Sequence, residues 1–273
     1  MTEQVEGLMM NFPNVDLKMF DYYNRNARIY PAVIGGAPAI AALMILFTWH
    51  GVSPTSSVAS AGLLVILYAM SDLARQRGKR LESVLYTRLG GMPSIRVMRR
   101  NDDTFDETSK ERYRTFLAGK LARPVPTTEE EARDQNAADG FYAAAGTWLR
   151  ENTRDTKKFS ILFSENVMYG FRRNLLGLRW PAAILNLTIC IVCIAILWPI
   201  TWPLNMSDDL TVRVVIVLVV ALIHGLYLAF GVTWNAVEEA ANTYGRQLVI
   251  STEAFLVDAK LPRQARAKKT SAV

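Results

Sequence analysis

The chain has 273 residues, 51% of them hydrophobic and 21% charged, and a formal net charge of +6. Leaving the two histidines aside, three stretches carry no charge: Ile29–Ser71, Trp180–Ser207 and Val214–Val237. About 20 apolar residues suffice for a transmembrane helix, so the first stretch has room for two spans and the others for one each. This pattern excludes an ordinary soluble enzyme and argues against disorder. Cys190 and Cys193 both lie inside an apolar run, which excludes a disulfide scaffold.

In chain order, residues 1–29 read as an N-terminal interfacial segment. Span one is expected at about Tyr30–Trp49, with Pro31 in the first turn, where its missing N–H would have no partner anyway. Gly35, Gly36 and Pro38 predict a kink or a close helix contact. His50-Gly51-Val52-Ser53-Pro54 reads as a turn. Span two is expected at about Val58–Ser71, its helix continuing past Asp72. Span three is expected at about Pro181–Pro203, with Trp180, Trp198 and Trp202 near its ends, and span four at about Val212–Trp234. The fold class is therefore an all-α membrane protein: four transmembrane helices as two hairpins, 30–71 and 180–234, flanking a helical insert at 72–179. Lys18, Arg25 and Arg28 precede span one, Arg75, Arg77, Lys79 and Arg80 follow span two, and Arg172, Arg173 and Arg179 precede span three. The hairpin loops hold only Arg213. Positive charge marks the cytoplasmic side, so both termini and the insert are expected inside, in a bacterial inner membrane.

Within the insert, Ser71–Leu89 reads as helix, stopped by Gly90-Gly91-Met92-Pro93. Ser94–Arg100 alternates in a way that suits an extended segment. Asp106–Leu121 reads as helix with Tyr113, Phe116 and Leu117 on one side, and Pro124-Val125-Pro126 breaks it. Thr127 with Glu130 forms a capping box, predicting one helix from there to about Asn152. A further helix at Lys157–Gly170 runs nearly into span three. After span four, Trp234, Val237, Ala241, Tyr244, Leu248, Ser251 and Phe255 form a heptad seam. It suits either packing on the insert or a coiled coil between subunits. Residues 235–273 end in a short basic tail.

Candidate chemistry is sparse. Cys190 and Cys193 read as core; no metal site, cofactor site or catalytic constellation is expected. Asp102 and Asp103 read mainly as a cap or local ion pairs. Asn186 and His224 are polar groups inside spans, suited either to lining a pore or to hydrogen bonding between helices. Arg96, Arg99, Arg100, Lys110, Arg112, Arg114, Arg172 and Arg173 form the candidate oligonucleotide-binding set. Juxtamembrane cations such as Arg77 and Lys79 are explained by anionic lipid headgroups, but those at 96–114 lie far along the chain from either span. On an oligomer axis they would line a basic chamber for a polyanion, with Phe105 and Tyr113 able to stack on bases. Solvated or lipid-facing charge is the competing explanation.

Several segments carry a resemblance: Leu89-Gly90-Gly91-Met92-Pro93, Arg99-Arg100-Asn101-Asp102, Thr108-Ser109-Lys110-Glu111-Arg112-Tyr113, Thr153-Arg154-Asp155 and, most specifically, the run from Glu165 to Leu178. Together they resemble the membrane effectors of bacterial antiphage defence, in particular the channel effector of the Hailong system. The resemblance implies a homo-oligomeric ion channel, a tetramer first, paired with a nucleotidyltransferase that makes DNA oligomers. The nucleotide or single-stranded DNA oligomer would hold the channel closed, and its loss would open it. The basic set would then be the oligonucleotide site. The family pattern has Thr-Thr after Pro93, where this chain has Ser94-Ile95, so no polar role is implied at position 95. The alternative is a non-conducting membrane adaptor whose insert docks a protein or anionic lipid.

Overall fold

The computed structural model describes residues 22–46, 54–199 and 206–260. Residues through 21 of the expected interfacial segment, residues 47–53 with most of the expected His50–Pro54 turn, residues 200–205 and residues from 261 on lie outside the described residues. Among those described there is no strand.

The chain enters through α1 (Tyr22–Asn24), a π-helical turn at Arg25–Ile29 and α2 (Tyr30–Gly35). It then bends by 60° into α3 (Ala37–Leu46). The expected kink lies at Gly36, whose φ is −90° and ψ 0°. Pro38 has no N–H to give to the carbonyl of Ile34, so the helical ladder is interrupted there. The expected close contact is present too: a Cβ on Gly35 would sit 3.1 Å from Met70 and 3.3 Å from Leu178.

α4 (Pro54–Arg88) is one unbroken helix of 35 residues. α9 (Ser160–Leu197) is another, of 38 residues, with Pro181 inside it rather than opening a new span. α10 (Asp209–Leu226) continues through a π turn at Tyr227–Gly231. The structure thus has two helices long and apolar enough to cross a membrane, Ser160–Leu197 and Asp209–Gly231, and a third if the bent pair α2–α3 is one span. α4 is not among the candidates found in the described residues. Span four ends earlier than expected, since Thr233 caps a new helix, α11 (Trp234–Ile250).

The insert differs from its sequence reading in two places. Pro93–Arg96 is a short helix, α5, not an extended segment. The helix expected from the Thr127 capping box is two, α7 (Thr128–Arg133) and α8 (Gln135–Asn152), because Asp134 turns out of helical geometry and caps α8 through Ala137 N. The capping box itself is present, with both reciprocal hydrogen bonds. α6 (Glu107–Leu121) starts at its Asp106 cap and ends at Ala122 in left-handed geometry (φ 50°). The C-terminal seam packs on the insert of the same chain: Leu248, Val249 and Phe255 share a core with Val97, Tyr113, Leu117, Phe141 and Leu149. α12 (Thr252–Lys260) closes that core, after Ser251 ends α11.

A second core lies where insert and membrane helices meet, around Leu85, Tyr169, Leu175, Leu176, Val237 and Ala241. Here α4 and α9 cross almost backbone to backbone. A Cβ on Gly177 would lie 2.7 Å from the Gly78 nitrogen, and one on Gly78 would lie 2.2 Å from Asn174 Oδ1. Small residues allow this approach. Asn174, 1% exposed, spans the crossing and donates to the Ala27 carbonyl at 2.7 Å, a carbonyl in the π turn. At the far end of the membrane helices, Arg213 pairs with Asp209 and donates to the Ile45 carbonyl at 2.9 Å. This brings the end of α3 and the start of α10 to one level. Cys193 packs in a third core with Val214 and Val217, as expected of a core cysteine.

Candidate ligand-binding and pore residues

Five of the eight candidate cations converge on one loop, residues 93–104. Gly90 and Gly91 reach φ +69° and +137°, left-handed geometry that favours glycine. Arg99 crosses this turn. It donates to the Gly90 carbonyl at 2.7 Å and forks onto both oxygens of Asp139 at 2.9 and 2.6 Å. A Cβ on Gly91 would collide with its guanidinium at 2.8 Å. The hydrogen bond to Asp139 raises the pKa of Arg99.

Lys110 is 4% exposed. Its ammonium donates to the carbonyls of Arg99, Arg100 and Asp102 at 3.3, 3.1 and 2.6 Å, and pairs with Glu107 at 2.9 Å. Arg114 is fully buried. Its Nε and Nη2 donate to the Met98 carbonyl at 3.0 and 2.8 Å, and its Nη1 reaches Glu107 at 2.6 Å. Burial opposes its charge, but the surrounding acceptors, Glu107 first and with Tyr142 and Glu111, together outweigh this and the pKa is raised. Arg100 donates to the Pro126 carbonyl at 2.9 Å, and its guanidinium lies among Glu107, Glu111 and Glu131. Arg96 pairs with Asp102 at 3.4 Å. Glu131, itself buried, also accepts from Tyr142 at 2.6 Å. Burial first, then that hydrogen bond, push the Tyr142 phenol well up.

Arg96, Arg99, Arg100, Lys110 and Arg114 thus meet Asp102, Asp139, Glu131, Glu107 and Glu111 within contact distance. The cluster is electrically balanced. A buried charge is tolerated when paired and hydrogen-bonded, and these cations do that work for the loop carbonyls. Asp102 also accepts from Thr104 N at 2.9 Å, a turn-forming and ion-pairing role as expected of it. Phe105 and Tyr113, the candidate stacking rings, pack edge to face on each other at 5.8 Å.

The remaining three candidates lie elsewhere. Arg173 pairs with Glu82, leans over the Tyr169 ring and is 14% exposed. Arg112 is exposed and pairs with Glu253. Arg172 is exposed and forms no ion pair among the described residues. Arg75, Arg77, Lys79 and Arg80, assigned to lipid, are all exposed on α4.

Asn186 and His224 are brought close together, between α9 and α10. Asn186 Nδ2 donates to the Ala221 carbonyl at 3.0 Å, one turn before His224. The His224 ring approaches the main chain at Ile34, at the helix break. Asn186 Oδ1 and both His224 ring nitrogens have no hydrogen-bond partner among the described residues. Both side chains are buried, at 9% and 6% exposure.

Two features had no place in the sequence reading. One is the Gly78–Gly177 crossing, whose glycines are spaced by a whole domain in sequence. The other is a cavity of about 300 Å³ beside Arg150 and Tyr244; Thr153-Arg154-Asp155, the run from Glu165 that holds Asn166, and Tyr244 of the heptad seam were each singled out, but not as one site. No family model, no curated protein and no solved structure matches this chain.

Proposed function

We propose that the chain is a ligand-gated, pore-forming membrane effector of antiphage defence in a bacterial inner membrane. A nucleotide or DNA oligomer, made by a partner nucleotidyltransferase, holds it closed at the cytoplasmic insert, and loss of that ligand opens it and depolarises the membrane. The subunit crosses the membrane four times, with the bent pair α2–α3 and the apolar half of α4 as the first hairpin and α9 and α10 as the second. Both termini are cytoplasmic, and subunits assemble as a homo-oligomer, a tetramer first.

The observation that carries this reading is the continuity of α4 and α9. Each is a single helix running from an apolar segment into the insert, and the two are clamped together at Gly78 and Gly177. A change in the insert therefore moves the membrane segments directly, which gating requires if the ligand binds the closed state better. The apolar faces also need a partner. Only 11% of the apolar window of α9 is buried in the subunit, and Leu64, Val65 and Tyr68 of α4 are two-thirds exposed. Lipid and neighbouring subunits supply that cover. Since the 93–104 cluster is balanced, the surface charge available to the ligand comes from Arg112, Arg172 and the exposed cations near them, multiplied by the subunit number. The five cations of the cluster hold the insert's shape.

Expression without the partner enzyme is expected to depolarise cells, read with a voltage-sensitive dye. An unchanged potential with the protein verified in the membrane would favour the non-conducting adaptor instead.

A further inference from the structure

We infer that His224, Asn186 and the Ile34 carbonyl form a proton-operated latch inside the membrane bundle, held while the imidazole is neutral and released when it takes up a proton. The three groups come from α10, α9 and the end of α2. Asn186 lies six positions past Trp180 on α9, or ~9 Å at 1.5 Å per residue, so the cluster sits within the apolar layer rather than at its surface.

The groups are polar, buried and unmatched. Asn186 Nδ2 is committed to the Ala221 carbonyl at 3.0 Å, which leaves its Oδ1 an acceptor without a donor. Both ring nitrogens of His224 are buried and unpartnered among the described residues. The ring lies beside the Ile34 main chain, and Pro38 has no N–H for the Ile34 carbonyl. Polar groups left in this state are costly in a membrane, and these gather where the first membrane segment is broken.

The break joins two packed units. Before it, α2 is fixed to α4 and α9: Ala32 shares a core with Met70, Ala74 and Leu178. After it, α3 is fixed to α10: Ala42, Ile45 and Leu46 pack with Val214 and Val217, and Arg213 donates to the Ile45 carbonyl at 2.9 Å. His224 is the α10 side chain that meets the joint, and Asn186 ties the same stretch of α10 to α9.

A neutral imidazole donates at one nitrogen and accepts at the other. A proton adds a second N–H and a full charge. Asn186 Oδ1 and the Ile34 carbonyl can accept from that N–H, but no carboxylate balances the charge. The titratable and charged groups on the packed elements are Tyr30 on α2, Arg179, Cys190 and Cys193 on the membrane half of α9, Asp209 and Arg213 on α10, and Tyr227 in the π turn; α3 has none. None of them acts on the ring. A charge buried without a counter-charge is costly, and two neutral acceptors do not replace water around it. The protonated ring is better placed where water reaches it. Acid therefore favours the arrangement in which α10 has moved off the break, and raising the pH returns the neutral ring to its place. That release opens the pore rests on the gated-pore reading; proton uptake by the ring does not.

The chain has two histidines, His50 and His224, so His50→Gln leaves one ring to watch. Labelled with 15N-histidine and placed in nanodiscs, this variant is expected to show the His224 imidazole taking up a proton between about pH 7.5 and 5. In planar bilayers without oligonucleotide, the ratio of open to closed time should rise at least about 10-fold from about pH 7.5 to 5.5, within the ~100-fold that one proton can supply over two pH units. The parent and His50→Gln should both show the rise. His224→Gln, which is neutral throughout and still able to hydrogen-bond, should lose it, with the melting temperature checked for an intact fold. A ring that stays neutral down to about pH 5, an open ratio that falls with acid, or an undiminished rise in folded His224→Gln overturns the latch and leaves the pore standing. Proton uptake by His224 in a protein that carries no current at any pH would keep the proton site and remove the pore.

Discussion

Gly177→Ala should destabilise the protein, whereas Gly119→Ala should stabilise it, although both glycines lie inside helices. Alanine is the better helix former by about 1 kcal/mol, and at Gly119 nothing lies within 4 Å of the added methyl. At Gly177 the methyl would lie 2.7 Å from the Gly78 nitrogen and 3.0 Å from the Arg77 carbonyl carbon. Backbone cannot swing away as a side-chain tip does. Overpacking of this kind costs about 1–3 kcal/mol, so the crossing must open and the propensity gain is outweighed. Opposite shifts in melting temperature for the two variants in detergent are the expected result. Because the crossing joins both long helices, Gly177→Ala should also uncouple the insert from the membrane segments, leaving a protein whose conduction no longer responds to ligand. Equal stabilisation by both substitutions would show that α4 and α9 do not meet backbone to backbone.

Arg114→Ala should be the most damaging of the candidate-site substitutions, and damaging to folding first. The side chain is fully buried, and its loss leaves the Met98 carbonyl without its two donors and Glu107 without its closest cation. Glu107 is half-exposed and keeps Lys110, so the loss falls on the buried Met98 carbonyl, about 1–3 kcal/mol for a buried group left unsatisfied, a sizeable share of the stability of a small domain. Arg112→Ala, an exposed cation paired at the surface, should cost no more than about 1 kcal/mol. Unfolding of the insert followed by circular dichroism separates the two. If Arg112→Ala abolishes oligonucleotide binding in a folded protein while Arg114→Ala removes the fold, the eight cations divide as their burial indicates. If Arg114→Ala melts like the parent, the balanced cluster is not what holds the 93–104 loop.

Much of the fold was legible because it follows from short-range signals. The charge-free stretches located α9 and α10, the two helices long and apolar enough to cross a membrane, and the bent pair α2–α3; Gly36 and Pro38 located the bend, Thr127 and Glu130 formed the expected capping box, and the 234–255 seam found its partner within the chain. Two local readings failed for local reasons. Asp134 can cap a helix as well as sit inside one, and Pro93 starts a helical turn after the Gly-Gly stop although the following alternation looks extended. The site was less legible because a charge count carries no information about partners. Arg96, Arg99, Arg100, Lys110 and Arg114 read as a basic concentration, yet Asp139 and Glu131, which neutralise part of it, come from helices 30 or more positions away. Arg150 is the reverse case. The adjacent Thr153-Arg154-Asp155 says nothing of its partners, and only the fold shows that no carboxylate pairs with it among the described residues.

Conduction by the purified protein is the most direct test of a gated pore. Reconstituted alone into planar bilayers, it should give discrete ionic currents, and a 5′-phosphorylated single-stranded oligonucleotide added on the side of the insert should close them, less effectively as salt rises. Bilayers that contain the verified protein yet carry no current above the protein-free background, with and without the oligonucleotide, would contradict it.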